Sequence, residues 1–183
     1  MTAFFPILKR FAEKHDLLYI ENTLPDKSVD GYVYSNDMQY RYAFARRWAK
    51  GPLVFWVGFN PAKGDTEKRR RPTLERCIGW SRTWNAGGLM FGNLFAGRHN
   101  KPRGLLAMKD PVGVYNDLAI IAMTKAANRT IAAWGGGNRW QGRVNQIAPF
   151  LKQPQCLGVT KSGQPRHPLY VRSDTQTESW LIK

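Results

Sequence analysis

Acidic side chains and cysteine are scarce in this sequence. Its 183 residues carry 13 Asp and Glu against 28 Lys and Arg, a formal charge of +15. The two cysteines, Cys77 and Cys156, stand in no CxxC and beside no Cys/His cluster, which argues against a disulfide framework or a zinc site. No apolar run approaches the roughly 18–20 residues needed to cross a bilayer. Lys9, Arg10, Glu13 and Lys14 follow Phe4 and Phe5 so closely that the N-terminus lacks the layout of a signal peptide. There is no internal repeat, low-complexity tract or obvious linker. These absences predict a soluble protein of the reducing cytoplasm that touches no membrane and carries no metal or cofactor. The length predicts one domain, residues 1–183. Apolar residues make up 43% of the chain and aromatics 13%, enough to build a packed core.

The charge is unevenly placed. Residues 1–60 hold 8 basic and 6 acidic side chains, whereas residues 61–183 hold 20 and 7. A surplus of this size is a common footprint of a polyanion partner, although it is also compatible with a merely soluble basic surface.

Periodicity orders the chain. Phe4, Ile7, Leu8 and Phe11 recur at helical spacing, predicting a short amphipathic helix within residues 2–14. Tyr32 and Tyr34, the turn-forming Ser35-Asn36-Asp37, and alternating Tyr40, Tyr42 and Phe44 read as a β-hairpin. From Leu53 the pattern changes to strands alternating with helices. Strands are expected at Leu53–Val57, Leu89–Phe95, Thr130–Trp134 and Cys156–Val159. Helices are expected from Pro72, around Leu118, Ile121 and Ala122, and around Val144, Ile147 and Phe150 or Leu151. The economical fold is a three-layer α/β/α domain with a four-stranded parallel sheet, preceded over residues 1–50 by the small helix and hairpin.

Ligands of an open parallel sheet bind beyond the carboxyl ends of its strands. Four loops are expected there: Gly58–Asp65, Asn93–His99, Gly135–Trp140 and Thr160–Leu169. They gather Asn, Asp, His, Gly and basic residues at one edge. Each has an ordinary reading as well. Asn60-Pro61 can be only a turn, and Gly135-Gly136-Gly137 can simply release the chain from strand to helix, or hold a phosphate beside Arg139. His167 reads equally as a solvated structural histidine or a catalytic one. Asp65 is a turn or helix-start residue, or a carboxylate able to act on water.

Several segments taken together resemble a bacterial and phage domain family of unknown function (domain of unknown function 1643). They are Arg41–Arg47, Gly58-Phe59-Asn60-Pro61, Pro72–Cys77, Gly92–Arg98 and Pro165–Tyr170, within about residues 30–172. That family usually reads Leu-Asn-Pro-Ser-Thr-Ala-Asp at the first loop; here Ala62-Lys63-Gly64 replaces Ser-Thr-Ala while Asn60, Pro61 and Asp65 stay in step. The layout also resembles, more distantly, the uracil-DNA glycosylase superfamily. Its mismatch-specific branch carries Gly-x-Asn-Pro-Gly after the first strand and a His-Pro-Ser-type segment after the last. Gly58-Phe59-Asn60-Pro61 matches the former with Ala62 for the final glycine, and His167-Pro168-Leu169 the latter with Leu169 for serine.

The resemblance implies a monofunctional DNA glycosylase acting as a monomer on DNA, either single-stranded or double-stranded with one base flipped out. Asn60 would hold a water, Asp65 would assist it, and His167 would donate to the departing base or a neighbouring phosphate. Asn93 would read the base edge, and Phe59 or Phe95 would stack on it, unless those rings belong to the core. Lys63, Arg69, Arg70, Arg71, Arg98, Lys101, Arg103, Arg139, Lys161, Arg166 and Arg172 are the candidates to hold the DNA, with Leu169 or Arg166 entering the vacated stack near Gln164-Pro165. The changes at Lys63 and Gly64, with Trp48, Trp56, Trp80 and Trp84 nearby in sequence, make plain uracil a less secure target and a bulky modified pyrimidine, such as a hydroxymethylated or glucosylated cytosine of phage DNA, an attractive one. The family's occurrence near phage biology, rather than any residue, would then imply an anti-phage role. Uracil or mismatch repair is the alternative, as is a catalytically silent nucleic-acid-binding module. A nucleotide-processing enzyme that uses the glycine-rich loop for phosphate is a third reading.

Overall fold

The computed structural model describes residues 5–62, 71–137 and 140–181. Helix α1 (Pro6–Lys14) is followed by strands β1 (Leu18–Thr23), β2 (Val29–Tyr34), β3 (Arg41–Arg47) and β4 (Leu53–Gly58). Helix α2 (Pro72–Thr83) leads to β5 (Gly88–Asn93), then α3 (Pro102–Leu106), α4 (Asn116–Ala126) and β6 (Arg129–Ala132). Helix α5 (Gln141–Ile147), β7 (Gln155–Cys156), a 3-10 turn at Pro168–Tyr170 and β8 (Glu178–Ser179) complete the order.

The sheet corrects the expected architecture. It is not four-stranded and parallel but eight-stranded and mixed, in the order β1-β2-β3-β5-β4-β6-β7-β8. Pairings of β5 with β4, β4 with β6 and β6 with β7 are parallel, while the four others are antiparallel. The hairpin of β2 and β3 is therefore no separate elaboration: Phe44 pairs with Phe91 and Ala45 with Met90. An exposed strand edge is a row of unpaired N–H and C=O groups. Here β3 covers the free edge of β5, and β8 covers β7. Alternation along a chain reports which segments are strands but not which edges meet, so this pairing is invisible in the pattern.

All six residues of β2 and the first five of β3 are buried, because both faces of the sheet are covered. One face packs Phe55, Val57 and Met90 against Leu8 of α1, Ile120 and Met123 of α4, and Val144 and Ile147 of α5. The other packs Val54, Trp56 and Phe91 against Leu74, Cys77 and Trp80 of α2. The strand alternation thus divides one apolar run between two cores.

Element limits differ in places. The amphipathic helix starts at Pro6, and Phe4 lies outside the described residues. The second crossover strand ends at Asn93 rather than Phe95, and β7 spans only two residues. Helix α4 exists where expected but turns another face inward: Ala119, Ile120, Met123 and Thr124 are buried, while Leu118 is 48% exposed. Strands β1 and β8 and helix α3 lie beyond what the periodicity indicated. Among the described residues no helix is long and apolar enough to cross a membrane.

Candidate functional site: a basic, aromatic cleft at the strand ends

A cleft of about 1110 Å³ opens at the carboxyl ends of the parallel strands. Gly58 closes β4, Asn93 closes β5, Ala133 through Gly136 follow β6, and Thr160, Arg166 and His167 follow β7; all of these line it. Parallel strands place their carboxyl ends together because β4 and β5 run in register, Gly58 opposite Asn93. The far wall comes from Arg41 and Phe44 of β3 and from Arg71, Pro72, Thr73 and Leu74 at the start of α2.

Asn60 is locked in orientation. Its Nδ2 donates to the carbonyls of Pro61 at 3.0 Å, Gly97 at 3.4 Å and His99 at 2.7 Å. Three carbonyls can face only the amide nitrogen, so Oδ1 is the atom left to act on the cleft, and it can only accept. Asn60 therefore suits holding a water through the water's own proton.

Asn93 is the opposite case. Only 5% exposed, it lines the cleft, and its side-chain amide makes no hydrogen bond with any described residue. Its main chain is well held: Asn116 Nδ2 donates to the carbonyls of Asn93 and Leu94, both at 3.0 Å, and Arg143 Nε donates to Leu94 at 2.7 Å. Arg143 is in turn paired with Asp117. The side-chain amide opens on the cleft instead. It carries both a donor and an acceptor to the edge of the cleft on a rigid strand end.

His167 starts the 3-10 turn, where its Nδ1 accepts from the Leu169 N–H at 3.3 Å. Burial holds its pKa below the ordinary histidine value. The ring is thus neutral at pH 7 with its proton on Nε2, a donor ready for an oxygen or an anion. Gly135, at φ 86°, passes so close that a Cβ there would lie 3.2 Å from His167 Cβ. Both the left-handed backbone and the contact call for glycine.

The aromatic assignments separate. Phe59 lines the cleft, packed edge-on against Phe95 with ring centroids 5.3 Å apart, but Phe95 itself is buried core and not part of the lining. The ring that joins Phe59 at the cleft is Trp140, 4.7 Å away. Trp134 also lines the cleft, its Nε1 donating to Gln164 Oε1 at 2.8 Å. Trp48, Trp56, Trp80 and Trp84 do not; Trp56 is wholly buried, with Trp84 stacked 5.7 Å from it on the face covered by α2. Their proximity in sequence says nothing of the ligand.

Of the expected DNA contacts, Arg166 reaches the cleft, with Nε donating to Val159 O at 3.0 Å. Lys161 is exposed next to cleft-lining Thr160. Leu169 is 42% exposed just outside the lining, and Tyr170, 82% exposed, stands within it. Gln164 and Pro165 are buried and offer no wedge. Arg98 is occupied elsewhere: it donates to Met38 O at 2.7 Å and lies over Tyr34, away from the cleft. Lys63, Asp65, Arg69, Arg70 and Arg139 lie outside the described residues.

Arg41, Trp134 and Trp140 are the lining residues to which the sequence assigned no role, while Arg71, one of the expected phosphate contacts, does reach the cleft. Arg41 sits on β3 rather than in a strand-end loop, so no loop motif marks it. The described lining holds three arginines and neither Asp, Glu nor Lys. No group of His, Cys, Asp and Glu among the described residues could hold a metal ion.

A family model described as Protein of unknown function (DUF1643) matches residues 41–169. The chain belongs to the DUF1643 family. Its matched span begins at Arg41 itself and contains every cleft-lining residue except Tyr170. The match does not extend to the uracil-DNA glycosylase superfamily. No curated protein and no solved structure matches the chain.

Proposed function

We propose that this DUF1643 protein is a monofunctional DNA glycosylase that hydrolyses the N-glycosidic bond of a modified base and leaves an abasic site. The observation that carries the reading is the convergence of Asn60, Asn93 and His167 on one cleft, each with a different free valence. In such a reaction the C1′–N bond breaks, its electron pair leaves with the base, and a water oxygen bonds to C1′ while its proton passes to solvent. Asn60 Oδ1 suits holding that water, and His167 Nε2–H suits the negative charge growing on the base. Asn93 offers the paired donor and acceptor that reading a base edge requires. Phe59 and Trp140 offer faces on which a flipped ring can stack. No described lining residue is a lysine, in keeping with a reaction that forms no Schiff base.

The size of the cleft favours a bulky base. At about 1110 Å³ it is at or above the usual range of about 300–1,000 Å³ for small-molecule pockets. A hydroxymethylated or glucosylated pyrimidine of phage DNA would use that room, and its removal would serve defence.

The test incubates the purified protein with oligonucleotides carrying uracil, a thymine mismatch, hydroxymethylcytosine or glucosylated hydroxymethylcytosine. Alkali-labile abasic sites are expected on a modified-cytosine strand, and at least 100-fold less in Asn60→Ala and His167→Ala. Release from the uracil or mismatch strands alone would transfer the reading to repair. Salt-dependent binding with no base released from any strand would overturn catalysis and leave a binding module.

A further inference from the structure

The wall of the cleft opposite His167 has features that the glycosidic chemistry does not use. Arg41 and Arg71 come from different elements, yet both guanidiniums lie over the ring of Phe44, at 5.8 and 5.2 Å from its centre. Both line the cleft, and Arg41 is only 7% exposed. Behind them Asp30, fully buried on β2, accepts from Arg46 Nε and Nη2 at 2.6 and 2.7 Å, from Tyr32 Oη at 2.9 Å and from Arg71 Nη2 at 3.2 Å. One buried carboxylate thus faces two guanidiniums, and its closer partner is Arg46. Asp30 steers Arg71 without fully neutralising it.

Helix α2 begins at the same wall. Pro72, Thr73 and Leu74 form its first turn and line the cleft, and the N-cap residue, Arg71, makes no side-chain cap bond. The first intrahelical bond is made by the Glu75 N–H to Arg71 O, so the amides of Thr73 and Leu74 precede it. Those N–H groups carry the positive end of the helix dipole toward the space that the two arginines border. At the end of β5, the strand next to β3, the side-chain amide of Asn93 lines the same cleft and has no hydrogen-bond partner among the described residues, an independent sign that this space takes a polar ligand.

We infer that Arg41, Arg71 and the N-terminus of α2 form a phosphate-binding subsite on the β3 wall of the cleft. It rests on the proposed reading only in taking the ligand to be a nucleotide. Phe44 keeps the guanidiniums flat and desolvated, which suits paired hydrogen bonds to phosphate oxygens. An anion at a helix start with two arginines is recognised by charge and geometry together. The phosphate can belong to a DNA backbone diester or to a terminal monoester, and the chemistry of the subsite is common to both.

The test measures binding by calorimetry to three probes at fixed ionic strength: deoxycytidine, deoxycytidine 5′-monophosphate and a dinucleoside monophosphate. At least one phosphorylated probe should bind tenfold or more tightly than the nucleoside. Arg71→Gln and Arg41→Gln should each shrink that ratio below threefold while leaving nucleoside affinity within twofold. A stronger effect on the diester assigns the subsite to a DNA backbone, and a stronger effect on the monoester assigns it to a free nucleotide or strand end. Equal affinities for all three probes, or an unchanged ratio in Arg71→Gln, would overturn the inference. Arg71 stays partly open to the cleft, so Arg71→Gln remains informative should Arg41→Gln fail to fold. Phosphate-dependent binding without excision from any oligonucleotide would sink the glycosylase reading and keep the subsite.

Discussion

Gly58 and Asn93 face each other across the parallel pairing of β4 and β5, and a Cβ on Gly58 would lie 2.7 Å from Asn93 Oδ1. The glycine is there because the neighbouring amide occupies the space that any side chain would need. Strand alignment and the position of the base-reading candidate are therefore one feature.

Gly58→Ala should push the Asn93 amide away from its place at the cleft. Overpacking of this kind costs about 1–3 kcal/mol, so the variant should fold with a lowered melting temperature. Base excision should fall more than tenfold while binding of undamaged DNA changes little. A variant that loses stability yet keeps full excision would show that the position of Asn93 does not matter to the reaction.

Asn60→Asp replaces the amide nitrogen with an oxygen facing three carbonyls. The lost hydrogen bonds and the repulsion should destabilise the protein by about 2–4 kcal/mol, seen as a lower urea midpoint. Asn60→Ala should be milder in stability yet as damaging to excision. If Asn60→Asp matches the wild type in urea, the amide is not held as described.

The pH dependence of stability carries the signature of His167. Burial lowers its pKa below 6.5, so the native state favours the neutral ring. Its contribution is present above the unfolded value near 6.5 and is lost as pH falls through the lower native pKa. The wild type should lose more stability between pH 7 and pH 5 than His167→Gln does. Superimposable profiles from urea titrations would refute the burial argument.

Asp30 offers the sharpest stability test. Removing one partner of a buried charge cluster costs about 3–5 kcal/mol. Asp30→Asn should approach that loss, because Arg46 and Arg71 would keep their charges with no carboxylate between them. Phosphate affinity should weaken as well, since Arg71 would no longer be steered. A loss under about 1 kcal/mol would mean that water already screens this cluster.

Asn60, Asn93 and His167 were legible because strand alternation plus the rule that ligands meet the carboxyl ends of parallel strands singles out loop residues directly. Trp140 lay within one of those loops and was still overlooked, since an aromatic beside a glycine run reads as ordinary packing. Phe59 and Phe95 were open to either a stacking or a core reading; β5 ends at Asn93, and the chain beyond it turns Phe95 into the core while Phe59 lines the cleft. Arg71 stood out only as one of a basic run, and Arg41 only as the first residue of the Arg41–Arg47 segment. Arg41 even comes from the segment whose charge is nearly balanced, so its role rests on the edge pairing of β3 with β5 and not on composition.

Local order in this protein was written in the residues: period-two aromatics, apolar runs for buried strands and prolines at helix starts act over a few bonds. The basic surplus, too, is a property of the chain alone. What the tertiary structure decided was which edges pair and which side chains share one cleft. Those depend on contacts between residues far apart in sequence, such as Phe44 with Phe91 and Arg71 with Asp30. No local pattern encodes a partner that distant, so the eight-stranded sheet and its arginine wall emerge only when the chain is folded.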